Sequence, residues 1–235
     1  MKSKLLGALV VSAALVGCGG GSGGGSSSTS TQPAGFESNG IYANDADLVV
    51  MIVDDTRAKN NVIVGDFAGD AVYFTHSAES SQDKMVTTGL TYADTNNYLV
   101  DSTLEMTSTF SGDTATITGT VNNQNVIYSL DKTASTKALS DIAGTHTNAD
   151  DGSVWTIGTD GAFSLTGAVC QISGTLVRNG EYFDLTNAQA VSCIDDDLNG
   201  SYSGVLVTAS HNGQSYMGGL MGNDDALLWG SVPIN

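Results

Sequence analysis

Residues 98–121 read YLVDSTLEMTSTFSGDTATITGTV. Val100, Leu104, Met106 and Phe110 share one parity with two Ser, while Asp101, Thr103, Glu105, Thr107 and Thr109 hold most of the other. That is the period of a strand with one wet face. Ser111-Gly112-Asp113 follows as a turn, and from Thr114 to Val121 the alternation resumes, with Ala115, Ile117 and Val121 opposed by four Thr. The stretch predicts an antiparallel hairpin.

Outward from this hairpin the same period recurs. Val154-Trp155-Thr156-Ile157 runs through a turn at Asp160-Gly161 into Ala162-Phe163-Ser164-Leu165. Asn179-Gly180, Asn199-Gly200 and Asn212-Gly213 mark further turns, because Asn and Gly tolerate the positive φ of tight hairpins. Past residue 18, no segment keeps an i, i+3, i+4, i+7 apolar pattern for three turns, so the expected class is all-β, a long antiparallel meander. Gly40-Ile41-Tyr42-Ala43-Asn44 with Asp47 matches Gly144-Thr145-His146-Thr147-Asn148 with Asp151 at an offset of 104, and Gly200-Ser201-Tyr202 restarts in the same way. His146 thereby falls in the slot of Tyr42. Two halves follow as an expectation, an N-terminal β-domain over 36–139 and a C-terminal one over 140–235. Each is a small barrel or sandwich of seven or eight short strands.

The first eighteen residues have a different character. Lys2 and Lys4 precede an apolar stretch of 11 residues, Leu5 to Leu15, which is too short to span a bilayer and has the form of a secretory signal peptide over 1–17. It ends in Leu15-Val16-Gly17-Cys18, which resembles a bacterial lipobox. The resemblance implies cleavage before Cys18 and acylation of that residue, palmitate included. The chain would then be held to a membrane by lipid, without a spanning helix. Residues 18–35 are then the lipidated Cys and a tether, GGGSGGGSSSTSTQPAG, with a root-mean-square reach of roughly 20–25 Å. Gly19 is not the Asp associated with inner-membrane retention, so the resemblance points to the outer membrane and leaves the leaflet open.

With Cys18 assigned, the three Cys leave the pair Cys170 and Cys193 in an exported compartment. A disulfide between them is expected, worth roughly 3 kcal/mol in the chain-entropy model; a metal pair is the rival reading, weak without a nearby His. Across the chain, 25 acidic residues stand against 8 basic, for a net charge of −17, which becomes −19 once Lys2 and Lys4 are removed. No Lys/Arg stripe exists to release phosphate counterions, so a nucleic-acid partner is excluded.

Lipobox, tether and two β-rich halves together resemble the small β-barrel outer-membrane lipoproteins of Gram-negative bacteria, a class that includes the modules of transferrin-binding and factor-H-binding lipoproteins. The resemblance implies a cell-envelope interaction or structural module. It carries over no binding residue.

Chemistry-bearing motifs are sparse. Asp195-Asp196-Asp197-Leu198-Asn199-Gly200 opens like a calcium loop, with Asp195, Asp197 and Asn199 as candidate ligands of a Ca²⁺ ion. Position twelve, however, is Leu206 rather than a bidentate Glu, and the rival is a solvated acidic turn. Asp150-Asp151-Gly152 and Asn223-Asp224-Asp225 are similar clusters. There is no G-x-S-x-G elbow, and His76, His146 and His211 have no paired spacing, so no catalytic residue is assigned and no enzyme is expected. Trp155 and Trp229 are candidates for a sugar-stacking platform or, as the plainer reading, core aromatics. Two functions remain: a non-enzymatic module contacting an envelope or extracellular protein or polysaccharide, and a small-ligand carrier with a cavity in a calycin-like barrel.

Overall fold

A computed structural model describes residues 35–121 and 124–234. The signal peptide, Cys18 and nearly all of the tether lie outside the described residues, as does Asn235. The first sheet contains β1 (Gly40–Asn44), β2 (Val49–Val53), β3 (Val62–Asp66), β4 (Ala71–Ser81), β5 (Lys84–Asp94), β6 (Tyr98–Ser111), β7 (Thr114–Val121) and β8 (Gln124–Lys132). These pair in chain order, and β1 meets β8 through Tyr42↔Lys132 and Ala43↔Asp131 to close a barrel. The second contains β9 (Gly144–Thr147), β10 (Val154–Ile157), β11 (Ala162–Thr166), β12 (Gln171–Asn179), β13 (Tyr182–Val191), β14 (Gly200–His211), β15 (Gln214–Gly222) and β16 (Leu227–Ile234). It too is a meander in chain order, nearly closed. Its end strands β9 and β16 lie side by side, and Asn148 Nδ2 donates to the Ser231 carbonyl at 3.1 Å across the seam. Pro233, which lacks a donor, sits on the edge strand β16, where such a residue costs no ladder bond.

The hairpin of residues 98–121 forms with Ser111↔Thr114 around Gly112-Asp113, and Asn212-Gly213 turns β14 into β15. The turn between β12 and β13 is Gly180-Glu181, with Asn179 already paired to Tyr182. Asn199-Gly200 is no hairpin: it ends a 3₁₀ turn over Asp196–Leu198 and starts β14.

The three Gly-x-aromatic openings share one geometry. Gly40, Gly144 and Gly200 have φ of 147°, 138° and 156°, a region costly for any residue with a Cβ. Two residues on, a ring reaches back to the carbonyl four positions upstream: Tyr42 Oη to Ser38, His146 Nε2 to Ile142 and Tyr202 Oη to Leu198, each at 2.9 Å. The ring satisfies a carbonyl that the turn into the strand leaves without a ladder partner. His146 does occupy the slot of Tyr42.

Apolar side chains divide into three clusters. Tyr42, Val49, Met51, Met85, Phe110 and Leu130 fill the first barrel. Trp155, Phe163, Ile172, Phe183, Leu206 and Met217 fill the second, with the Cys170–Cys193 disulfide at one end. The third cluster lies between the sheets: Val50, Ile52, Ile63 and Phe74 of the first against Val205, Val207, Leu220 and Leu227 of the second. β2 is therefore buried on both faces, and so is β14 over Val205–Val207, which is why neither run alternates. At that contact the Phe67 ring lies against Gly218 and Gly65, where a Cβ would overlap it.

The connection between the sheets is fastened. Thr136, 3% exposed, donates its amide to the Glu181 carbonyl at 2.7 Å and accepts from the Thr208 amide at 3.3 Å. Arg178 Nη1 donates to the Thr136 carbonyl at 2.7 Å, and the short helix α1 (Leu139–Ile142) plugs Ile142 into the second core.

Candidate functional site

At one end of the closed first barrel β6 and β7 part, and the cause is local. In β5, Gly89, with φ of 80°, stands where the register shifts and faces the three β6 residues 102–104; the His76 ring packs where its Cβ would be, with Nε2 2.9 Å from Thr91 Oγ1. In β6, Asp101 Oδ1 accepts from the amides of Thr103 at 2.8 Å and Leu104 at 3.1 Å, and from Thr103 Oγ1 at 2.8 Å. This side-chain turn competes with the ladder and bends the strand. Above the pair Met106↔Gly119, β6 and β7 no longer hydrogen-bond.

The bend also corrects the alternation read from sequence. Leu99 pairs with Tyr92, and Val100 with Thr91, so residues on either side of the turn are out of phase. Phe110 is in the core as expected, but Val100 is 54% exposed.

Between the parted strands lies a groove of about 770 Å³ lined by Asp101, Thr103, Leu104 and Glu105 of β6, Thr118 to Thr120 of β7, and Asn125 to Ile127 of β8. Tyr98, Leu99, Val100 and Ile127 stand in solvent at its rim, Ile127 at 72% exposure. A second, open cleft of about 460 Å³ runs along β1, β8 and the connection, lined by polar side chains such as Asp45, Asp131, Lys132 and Lys137. Both concavities are outside the filled barrel interiors.

The inward-facing tyrosines near the groove are hydrogen-bonded to carboxylates. Tyr92 donates to Asp94, which pushes its phenol up to about 12 and draws the carboxyl down to about 2. Tyr128 donates to Asp47 at 3.0 Å; burial first, then that bond, raises it to about 12. Tyr73 stacks on Tyr92 with ring centroids 4.9 Å apart. These groups brace the mouth of the barrel as neutral phenols.

A denser polar cluster lies at the contact of the two sheets. Tyr182 donates to Asp54 at 2.5 Å; Arg57 Nη1 reaches both Tyr182 Oη at 2.9 Å and Asp184 at 2.8 Å; Asn179 Nδ2 donates to Asp184 at 2.9 Å. Arg57 Nε is buried without a partner. No spacing in the sequence links residues 54–57 to 179–184, so this cluster was not legible there.

Asp195, Asp197 and Asn199 serve their own loop. Asp195 accepts from the Asp197 amide at 3.1 Å, and Asn199 accepts from the Cys193 amide at 3.2 Å while donating to the Asp196 carbonyl at 3.1 Å. Among the described residues no three His, Cys, Asp or Glu side chains are placed to hold a metal ion. The loops bearing Asp150-Asp151, Asp195–Asp197 and Asp224-Asp225 follow β9, β13 and β15, which in an antiparallel meander gathers them at one barrel end. The His residues are dispersed: His211 Nδ1 donates to the Asp45 carbonyl at 2.5 Å, while His76 and His146 hold the strand geometry described above. Trp155 is 4% exposed in the second core, and Trp229 Nε1 donates to Asp70 at 2.9 Å between the sheets, so the two form no shared platform. Comparison with protein-family models, curated proteins and solved structures finds no match.

Proposed function

We propose that this chain is an outer-membrane lipoprotein, anchored through acylated Cys18, whose double-barrel body is a non-enzymatic interaction module of the cell envelope. The observation that carries the reading is a contrast. Both barrel interiors are packed with side chains, whereas Tyr98, Leu99, Val100 and Ile127, four of the apolar residues left in solvent, lie by the groove where β6 and β7 part. A carrier needs an enclosed apolar cavity, usually of several hundred Å³, and the clefts here are open to solvent. The strong negative charge suits a body that a tether holds clear of anionic head groups.

The anchor is tested by palmitate incorporation in cells producing the full chain or Cys18→Ser. Label in the first and none in the second is expected, and an unlabelled wild type overturns it. Native mass spectrometry of the purified chain tests the module against the carrier. The mass of the acylated chain with nothing further bound is expected, whereas a stoichiometric, non-covalent small apolar ligand would transfer the reading to a carrier.

A further inference from the structure

The structure assigns to the open edge of β6, resting on the interaction reading above, an extended basic polypeptide segment that binds as an added strand. The alternation of ladder bonds fixes which groups are available. The Asp94 amide donates to the Asn97 carbonyl at 3.0 Å, so Asn97, Leu99 and Asp101 turn their backbone groups toward β5. Tyr98 and Val100 turn theirs the other way, where among the described residues no strand pairs with them. An edge with free amides and carbonyls and exposed apolar side chains on both faces is the substrate of strand addition. Natural edges of this kind are ordinarily blunted by Lys, Pro, other charges or a bulge; residues 98–100 carry none of these, and the Asp101 turn marks where the free stretch ends.

Charge selects the occupant. Asp101 and Glu105 line the groove, and no Lys or Arg does. Asp224 and Asp225 of the second sheet lie near enough to Tyr98 to raise its phenol, after burial. An incoming strand thus passes carboxylates along the groove and at its rim. A second copy of this strongly acidic chain would bring like charge to like. A Lys- or Arg-rich strand meets complementary charge, with alternate apolar side chains to set against Leu99 or Val100.

The probe is a fluorescent peptide of about ten residues alternating Lys and Val, titrated into the full chain by anisotropy. Its controls are the counterpart with Glu for Lys and the Lys peptide N-methylated at alternate amides. Val100→Pro is the decisive variant: the amide it removes faces the free edge, so the β5 ladder is untouched while the incoming strand loses a donor. Saturable binding of the Lys peptide is expected. It should be weakened about tenfold or more by Val100→Pro or by N-methylation, and several-fold by the pair Asp101→Asn and Glu105→Gln. Equal binding of the Glu peptide, indifference to N-methylation, or unchanged affinity in a folded Val100→Pro chain would overturn the assignment. Edge-dependent dimerisation of the chain alone would overturn it in favour of a second copy. None of these results bears on palmitate incorporation or ligand mass, so the broader reading stands or falls separately.

Discussion

The Tyr182 hydroxyl donates to Asp54 Oδ2 at 2.5 Å, joining two residues 128 positions apart and on different sheets. The same oxygen accepts from Arg57 and from Asn179 Nδ2, so one phenol links the β2–β3 loop to the β12–β13 hairpin. With the apolar cluster beside it, this network joins the two sheets.

Tyr182→Phe keeps the ring and removes the hydroxyl. Asp54, 6% exposed, then loses a donor, and the expected cost is about 1–3 kcal/mol in urea unfolding. Asp54→Asn in the Tyr182→Phe background should cost less than the sum of the two single changes, because the groups share one interaction. Strict additivity would contradict the network.

Two titrations bound the pH range of that contact. Burial alone would raise the Asp54 carboxyl, but hydrogen bonds from Thr56 and Tyr182 and the charge of Arg57 outweigh it and hold the pKa below 3.8. Its contribution is therefore complete above the ordinary Asp value and is lost as pH falls through the lower, folded value. Tyr182 is shifted the other way, first by burial and then by Asp54, so its contribution is complete below about pH 10 and lost as pH rises beyond. Unfolding free energy measured against pH should fall at both ends, and Tyr182→Phe should flatten the alkaline limb. An unchanged alkaline limb in that variant would contradict the assignment.

The Cys170–Cys193 disulfide clamps the open end of the β12–β13 hairpin, where the Ile194 amide also donates to the Val169 carbonyl at 2.9 Å. Replacing both Cys by Ser should lower stability by about 3 kcal/mol and lower Tm, read by thermal melting beside the reduced wild type. Reduction without effect would contradict a structural bridge.

Calcium should leave Tm unchanged on addition, and EDTA should do the same, because the Asp195 and Asn199 side chains are spent on backbone amides of their own loop. A rise in Tm that saturates with calcium and is lost in Asp197→Asn would show that the loop rearranges around the ion.

Period-two alternation and Asn-Gly turns made the all-β class, the 98–121 hairpin and the Gly-x-aromatic openings readable, because each depends on residues a few positions apart. Val49–Val53 and Val205–Val207 hid their faces since both are buried, one face by each sheet. At Val100 the alternation misled: the Asp101 side-chain turn changes the phase of β6, a signal present in Asp101-Ser102-Thr103 but weaker than the apolar pattern around it. The Asp54–Tyr182 network and the open groove are long-range results of how strands diverge and sheets pack, which spacing along the chain does not encode.

The central claim, that the open edge of the first barrel is the working surface of an envelope module, is tested most directly by a photo-crosslinking residue placed at Val100 in the full chain in intact cells. Val177, on the second sheet and exposed to 49%, is the control. A discrete crosslinked polypeptide at Val100, absent at Val177, is the predicted result. No adduct at Val100, or the same adducts at both positions, would contradict the account.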